Sequence, residues 1–218
     1  MKKLHALLRR RAALPLLCYA LALAAWLCLG AWGLASDMLA RSGGRLCPQT
    51  LHAADFALVD LDLTDTALDV ETGQPTETLV TTSGDPQMIL EDVSAEVVRT
   101  MRIYARYDGA AREMCLYYTT RADEPYSQDR RVFPAQQADG SYLYTLPRGR
   151  LYALRLDPCS PDEGKTVTLT LEKITLNADA AHYFLPSWYQ LFCLALYPAL
   201  GAAALSWLRA VASVFLRA

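Results

Sequence analysis

The side chains that point most directly to ligand chemistry are eight tyrosines in the middle of the chain. A tyrosine combines a flat apolar face with a hydroxyl group, which suits stacking on a sugar ring and hydrogen bonding to its edge. Two of the eight fall on predicted apolar strand faces, so part of the set belongs to a hydrophobic core. The eight are Tyr104, Tyr107, Tyr117, Tyr118, Tyr126, Tyr142, Tyr144 and Tyr152.

Two of these tyrosines, Tyr104 and Tyr117, alternate with apolar residues and therefore face away from the predicted core. Arg102 and Arg106 share the face of Tyr104. We predict that the two strands are adjacent, so that all four residues form one glycan-binding surface. The alternative is an ordinary sheet surface, because tyrosine is enriched in strands whatever their function.

Carboxylates at two places have spacings that could hold a metal ion. Asp60 and Asp62 form a D-x-D pair, a spacing that some nucleotide-sugar transferases use for a divalent metal, but solvent-facing alternation on a strand explains it better. Asp157, Asp162 and Glu163 surround one turn, yet Ca²⁺ takes six to eight oxygen ligands and most of these are unidentified. We therefore predict no metal site.

The sequence carries no recognisable catalytic machinery. Its three histidines, His5, His52 and His182, lie far apart, and no G-x-S-x-G, P-loop or Rossmann fingerprint is present. We predict a protein that is not an enzyme and has no catalytic residues and no cofactor. An enzyme with a site that the sequence does not reveal is the weakest alternative.

The sequence predicts that these residues lie on β-strands, because apolar and polar residues alternate within short segments that turn signals separate. About eight short strands with repeated turns indicate a mainly β domain, an antiparallel β-sandwich of the jelly-roll kind, over residues 56–178. It opens with a strand at 56–63 whose odd-numbered apolar residues share one face. The clearest alternation runs over 97–107 and 112–120.

Residues 151–177 give the strongest strand signal, with two strands joined by a turn. Up to Leu171 the apolar residues of the second strand are odd-numbered, and from Ile174 onward they are even-numbered. A strand has a side-chain period of two, so this change of phase predicts a β-bulge at Glu172–Lys173.

Two charge-free apolar runs, residues 13–35 and 185–208, are each long enough to cross a bilayer of about 30 Å as a helix. Both are predicted to be transmembrane helices, the first joined to the sandwich by a connector at 36–55. A cleaved signal peptide is the alternative for the first run, since Gly33 and Ala35 form a small-x-small site. The run is longer than the usual apolar region of a signal, which favours an uncleaved anchor.

Charge is divided sharply along the chain. Residues 36–184 contain all 23 acidic residues and 14 of the 21 basic ones, a formal charge of −9, whereas the two ends carry only basic charge. Cytoplasmic ends of membrane proteins are typically basic, so we predict that residues 1–12 and 209–218 are cytoplasmic and the sandwich is extracytoplasmic. The acidic middle argues against a nucleic-acid partner.

Alanines spaced along the two apolar runs predict where other helices approach closely, although alanine as simple helix filler is an equal alternative. They are Ala20, Ala24, Ala31, Ala195, Ala199 and Ala203. Outside these runs lie three cysteines, Cys47, Cys115 and Cys159. Three thiols form at most one disulfide, and the sequence does not select the pair.

Residues 97–177 resemble the juxtamembrane β-sandwich of bacterial polytopic membrane proteins of cell-surface polysaccharide synthesis. The matching segments are MRIYARYDG, CLYYTTRAD, and LYALRLDP followed by a glycine turn and VTLTLEKITL. In that family the domain is similar to a carbohydrate-binding module and stands between transmembrane helices, beside a glycosyltransferase or transport unit. The resemblance covers about 80 of 218 residues, and this chain has two helices where the family has many.

The resemblance implies a non-enzymatic, two-pass protein of the bacterial plasma membrane that is accessory to cell-surface polysaccharide assembly and binds glycan weakly. The implied partners are the lipid bilayer, a cell-surface glycan and a membrane glycosyltransferase or transporter. Two alternatives stay open: a structural or regulatory subunit that contacts other membrane proteins, and a truncated copy of a larger glycosyltransferase.

Overall fold

The computed structural model describes residues 2–68, 73, 75–109, 113–179 and 182–215, with side chains from residue 13 onward except that of residue 214. The chain forms two compact units. One contains residues 1–38 and 182–218, and the other contains residues 39–181.

The first unit is built from two helices, α1 (Lys2–Ser42) and α2 (Trp188–Phe215). Segments of both, Ala13–Ser42 and Trp188–Ser213, are long and apolar enough to span a membrane, with mean hydropathies of 2.0 and 1.8. Helix α1 continues seven residues beyond the predicted end at residue 35, because the first residues that terminate a helix are Gly43 and Gly44. Gly44 has a φ of +69° and its N–H donates to the Arg41 carbonyl, a glycine-dependent helix end.

Within this unit, α1 contacts both α2 and the segment that precedes it. Tyr19 donates a hydrogen bond to the Ala195 carbonyl at 2.8 Å, and Trp26 meets Phe184 edge to face at 6.5 Å. A Cβ atom at Gly30 would lie 2.7 Å from the Phe184 ring, so only glycine admits this ring.

The predicted alanine rows do not pack against the other helix of this chain, and the approach of any other helix to them stays a prediction. The six alanines named above are exposed in the structure.

The second unit contains twelve described strands, all paired antiparallel. They are β1 (Gln49–Leu51), β2 (Ala57–Val59), β3 (Leu61–Leu68), β4 (Pro75–Thr81), β5 (Gln87–Leu90), β6 (Thr100–Asp108), β7 (Cys115–Tyr118), β8 (Arg131–Val132), β9 (Ala135–Gln136), β10 (Tyr142–Thr145), β11 (Leu154–Asp157) and β12 (Thr168–Leu176). Sheet A has the order β3-β4-β12-β6-β10-β9, with β1 also pairing with β12, and sheet B has the order β2-β5-β11-β7-β8. The predicted antiparallel β-sandwich is confirmed.

The core lies between the two sheets and is formed by residues from the inner face of each. The core residues that are at most 1% exposed include Leu79, Met101, Ile103, Leu169, Leu171 and Ile174 from sheet A and Met88, Leu116, Leu154 and Leu156 from sheet B. Since side chains alternate along a strand, the residues between them point outward and form the two outer faces.

In two segments the chain changes from one sheet to the other where the sequence gives no sign of it. Alternation of apolar and polar residues does not reveal such a change. The predicted strand 56–63 is divided at Asp60, whose φ of +56° turns the chain from β2 in sheet B to β3 in sheet A. The two strands predicted at 151–177 likewise do not pair with each other, since β11 belongs to sheet B and β12 to sheet A. The predicted connector 36–55 contains β1, so the sandwich begins earlier than residue 56.

The predicted bulge in β12 is confirmed. Leu171 pairs with Ala105 of β6, whereas Lys173 pairs with Tyr104, so Glu172 is an extra residue opposite β6. The bulge lets Leu171 and Ile174 both reach the core although they are three positions apart.

Candidate functional site

The predicted glycan surface is divided between the two outer faces of the sandwich. Arg102, Tyr104 and Arg106 lie on β6 and face outward from sheet A, as predicted. Tyr117 lies on β7 and faces outward from sheet B. The predicted adjacency of Tyr104 and Tyr117 is wrong, because β6 and β7 belong to different sheets.

The sheet A patch, formed by Arg102, Tyr104, Arg106 and Lys173, has most of its charge compensated within the protein. Arg102 donates to the Asp179 carboxylate at 3.1 Å and to the Ser141 hydroxyl at 2.8 Å. Its guanidinium and the Lys173 ammonium also stand 5.4 and 4.7 Å from the centre of the Tyr104 ring.

Arg106 is paired as well, because it donates two hydrogen bonds to Glu172, at 2.8 and 3.0 Å. Cations on an aromatic face are attracted to its negative quadrupole and compete with a ligand for that face. The sheet A patch is therefore a poor platform for a sugar.

A concave site lies instead on the outer face of sheet B. This sheet B cleft has a volume of about 520 Å³ and a predominantly polar lining. Aromatic rings, guanidinium groups and carboxylates converge in it. Its principal lining residues are Asp85, Tyr117, Tyr126, Arg131, Phe133, Arg155 and Asp157. A cleft of this size falls within the usual range of small-ligand sites.

Arg155 organises the floor of the cleft. It donates two hydrogen bonds to the Asp157 carboxylate, Nε to Oδ1 at 2.7 Å and Nη2 to Oδ2 at 2.9 Å. Its Nη2 also donates to Asp85 Oδ1 at 3.0 Å. Its guanidinium also stacks on Tyr117, with Cζ 5.1 Å from the ring centre. A planar guanidinium held this way has a fixed orientation, so its ring partner is fixed too.

Burial dominates the protonation chemistry of the floor. It raises the pKa of the Asp157 carboxyl, and the hydrogen bonds and charge of Arg155 lower that pKa without offsetting burial fully. Burial, followed by the adjacent Cys115 thiol, raises the pKa of Tyr117, so the phenol stays neutral and able to donate near neutral pH.

The segment from Arg121 to Arg131, here called the strap loop, supplies one wall of the cleft. Its Glu124 accepts hydrogen bonds from the Thr120 N–H at 2.9 Å and the Thr120 hydroxyl at 3.2 Å, and forms an ion pair with Arg130. The hydrogen bond from Arg130 and then that from Thr120 lower the pKa of Glu124 to about 2, so the loop is held by a fully ionised carboxylate above about pH 4.

Sequence reasoning missed the cleft because the strap loop shows no strand pattern in the sequence. The signal that could have revealed it is the presence of Tyr126 and Phe133 in or beside a segment with no strand pattern. An aromatic ring outside a core pattern indicates a binding surface more strongly than a ring whose position the core already explains. Phe133 is 58% exposed, and the Arg131 guanidinium stands 4.9 Å from its ring centre.

The carboxylates weighed as metal ligands are placed in other contacts. Asp60 accepts a hydrogen bond from Ser83 at 2.7 Å, Asp157 holds Arg155, and Asp162 pairs with Lys165 at 3.0 Å. Across the described residues no group of three or more histidine, cysteine or acidic side chains is arranged to hold a metal ion.

All six cysteines are free thiols in the structure, and the three outside the helices differ in accessibility. Iodoacetamide at pH 8 should modify the exposed Cys47 and leave the buried Cys115 and Cys159 largely unmodified. The thiolate is the reactive form, and burial raises the pKa of both buried thiols, that of Cys159 to about 11. A rise from 9 to about 11 lowers the thiolate fraction at pH 8 by about 100-fold.

Peptide mass spectrometry over a pH series measures the labelling of each thiol. Labelling of Cys159 should increase as the pH approaches 11, and all three should react alike in guanidinium chloride. Native Cys159 that is alkylated as fast as Cys47 at pH 8 would contradict its burial.

No protein family model matches the sequence, and no curated protein matches it. Among solved structures, the chain is similar to a low-affinity xylan binding module, CBM86, from Roseburia intestinalis, with 13% identity and a TM-score of 0.38 over 60% of this chain and 94% of that one. It is also similar to CsCBM6-3 from Clostridium stercorarium in complex with cellobiose, with 6% identity and a TM-score of 0.34 over 60% and 94%.

A third similar structure is CBM35 from Paenibacillus barcinonensis, with 12% identity and a TM-score of 0.35 over 61% of this chain and 99% of that one. These likenesses concern the fold of the sandwich and carry no substrate over to this chain. The described residues form a two-sheet antiparallel β-sandwich, accompanied by two apolar helices long enough to span a membrane.

Proposed function

We propose that this chain is a non-enzymatic, two-pass membrane protein of the bacterial plasma membrane whose sandwich stands outside the cytoplasm and binds cell-surface glycan weakly. In this role it is an accessory component of polysaccharide assembly, beside a membrane glycosyltransferase or transporter. Two apolar helices and basic residues at both ends of the chain support the topology.

The observation that carries the binding function is the sheet B cleft. Tyr126 lines the cavity, and Phe133 is 58% exposed although the Arg131 guanidinium stands near its ring. Tyr117 is covered by Arg155 and is not counted as a stacking face. Arg131 offers guanidinium donors at the same cavity. Sugars are bound by this combination, since a ring face stacks on the apolar face of a sugar while polar groups bond its hydroxyls. The cleft thus replaces the sheet A patch as the expected contact surface.

Binding is expected to be weak. The cleft is open and solvated, so dissociation constants in the millimolar to high-micromolar range, about −4 to −6 kcal/mol, are expected. Weak binding suits a domain held at a membrane, because tethering raises the effective concentration of a chain that is being extended beside it.

The test is a titration of the full chain in nanodiscs with a panel of cell-surface polysaccharide fragments, with NMR shifts of the sandwich as the readout. Phe133→Ala should weaken binding at least threefold, since this exposed ring is removed without opening the core. Tyr104→Ala, in the sheet A patch, is the matched control and should leave binding unchanged.

Loss of binding in Tyr104→Ala but not in Phe133→Ala would move the site back to sheet A. A folded wild type that shows no shifts with any fragment would overturn glycan binding. In that case a structural or regulatory subunit that contacts other membrane proteins becomes the better hypothesis.

A further inference from the structure

A second cavity of about 600 Å³ lies beside the sheet B cleft. Its wall includes Ile89 of β5 and Ala153, the residue before β11, so it stands over the same sheet. Four of its lining residues are acidic and one is basic: Glu91, Asp92, Asp123, Glu124 and Arg121. We call it the acidic cavity. Tyr126 lines both it and the sheet B cleft.

The two cavities follow one line along the outer face of sheet B. Ala153 lines the acidic cavity, Arg155 and Asp157 line the cleft, and the three residues alternate outward along one strand segment. Outward positions on a strand are about 6.6 Å apart, so the line from residue 153 to residue 157 spans about 13 Å. This length exceeds one sugar ring, so a ligand occupying both cavities is a chain.

Tyr126 stands at the junction of the cavities. Burial raises the pKa of its phenol, Glu91 on the acidic side raises it further, and Arg155 on the cleft side lowers it. The ring therefore experiences charges from both cavities. Its position in the strap loop is fixed by the contacts of Glu124 with Thr120 and Arg130.

The cleft and the acidic cavity differ in how far their charged side chains are paired within the protein. This difference predicts the charge of the ligand. In the cleft, Arg155 is neutralised by Asp157 and Asp85. In the acidic cavity, Glu91 and Asp123 are exposed, and no ion pair to either is found among the described residues. Exposed carboxylates around an aromatic ring attract a cationic ligand and repel an anionic one.

We infer that the two cavities form one groove, bridged by Tyr126, which takes a linear glycan of several sugars bearing free amino groups. The inference rests on the proposed glycan-binding function and names its substrate class. Ring faces stack along the groove on Tyr126 and Phe133, while the ammonium groups of the sugars face Glu91 and Asp123. Acidic polysaccharides are disfavoured by the same carboxylates.

The experiment compares a glucosamine hexamer with an N-acetylglucosamine hexamer, which has the same backbone without the positive charge, on the full chain in nanodiscs. The glucosamine hexamer should bind about five- to tenfold more tightly at low salt, as two exposed ion pairs allow. Raising the salt concentration should reduce this preference. Glucosamine monomer should bind at least tenfold more weakly than the hexamer, because it occupies only one cavity.

Two variants with the same change of net charge separate local from general electrostatics. Glu91→Gln with Asp123→Asn should abolish the preference for the glucosamine hexamer. Asp62→Asn with Asp65→Asn alters exposed carboxylates on β3 of sheet A and should keep the preference. Tyr126→Ala should weaken both hexamers.

Equal affinity for the two hexamers would overturn the amino-sugar assignment while leaving glycan binding intact. A monomer that binds as tightly as the hexamer would overturn the single groove. Absence of binding by these hexamers and by the whole fragment panel would instead overturn the proposed function itself.

Discussion

Replacing Asn177 by glycine is expected to lower the free energy of unfolding of the sandwich by about 2–4 kcal/mol. Asn177 is buried, and its side chain joins three segments. Its Oδ1 accepts the Arg99 N–H at 2.7 Å, and its Nδ2 donates to the carbonyls of Val97 and Cys47 at 2.8 and 3.4 Å. Removal leaves buried backbone groups without these partners, and each such loss costs about 1–3 kcal/mol.

Alanine at the same position should cost about 1–2 kcal/mol more than glycine. Asn177 has a φ of +55°, which asparagine and glycine tolerate and alanine does not. The pair of variants therefore separates the hydrogen bonds from the backbone conformation. Hydrogen exchange of β6 and β12 peptides across a urea series measures both values without a contribution from the helices. Equal stability of Asn177→Gly and wild type would show that the three bonds contribute nothing.

The outward or inward direction of most strand residues could be predicted from the sequence, because it depends only on a period of two. Arg102, Tyr104 and Tyr117 all face outward as their alternation indicates. The sheet to which each strand belongs could not be predicted in this way. At Asp60 the core-facing residues change from the even-numbered Leu58 to the odd-numbered Leu61, so the alternation is displaced at the crossing. The apolar residues Val59, Leu61 and Leu63 nevertheless suggest one unbroken strand.

The crossing at Asp60 shows the difficulty. Its left-handed backbone conformation places β2 and β3 in different sheets, and an aspartate among alternating residues gives no clear sign of it. The prediction that Tyr104 and Tyr117 share a surface failed for the same reason.

The strap loop and its cavities lay beyond sequence reasoning for another reason. The loop is held over sheet B by Glu124, which contacts Thr120 and Arg130. These contacts depend on side-chain geometry within an irregular segment, where no period constrains the backbone. By contrast, the bulge in β12 was predictable. When the apolar residues of one long strand change from odd to even numbers, an extra residue between them is the usual way to bury both sets.

Deleting Thr170 from β12 is expected to destabilise the sandwich by at least about 3 kcal/mol more than deleting Glu172, although each variant shortens the same strand by one residue. Without Glu172, Leu171 is followed directly by Lys173 and Ile174, which already pair with Ala105, Tyr104 and Ile103 in succession. The strand becomes regular, and its apolar side chains keep their direction toward the core.

Deletion of Thr170 has no such solution. If the strand becomes regular, Leu171 points outward and the Glu172 carboxylate points into the core; if it keeps the bulge, Leu169 is expelled instead. Leu169 and Leu171 are each 1% exposed, and expelling either costs about 1.5–3 kcal/mol before the cost of burying a polar group.

Deleting Glu172 should cost no more than about 1 kcal/mol, because the deletion removes only a solvent-exposed ion pair with Arg106 and the local bend. Hydrogen exchange of the β6 and β12 peptides, with the two deletions compared under identical conditions, measures the difference. Since the bulge is the only adjustment that distinguishes them, equal destabilisation would mean that β12 does not hold its register through Glu172.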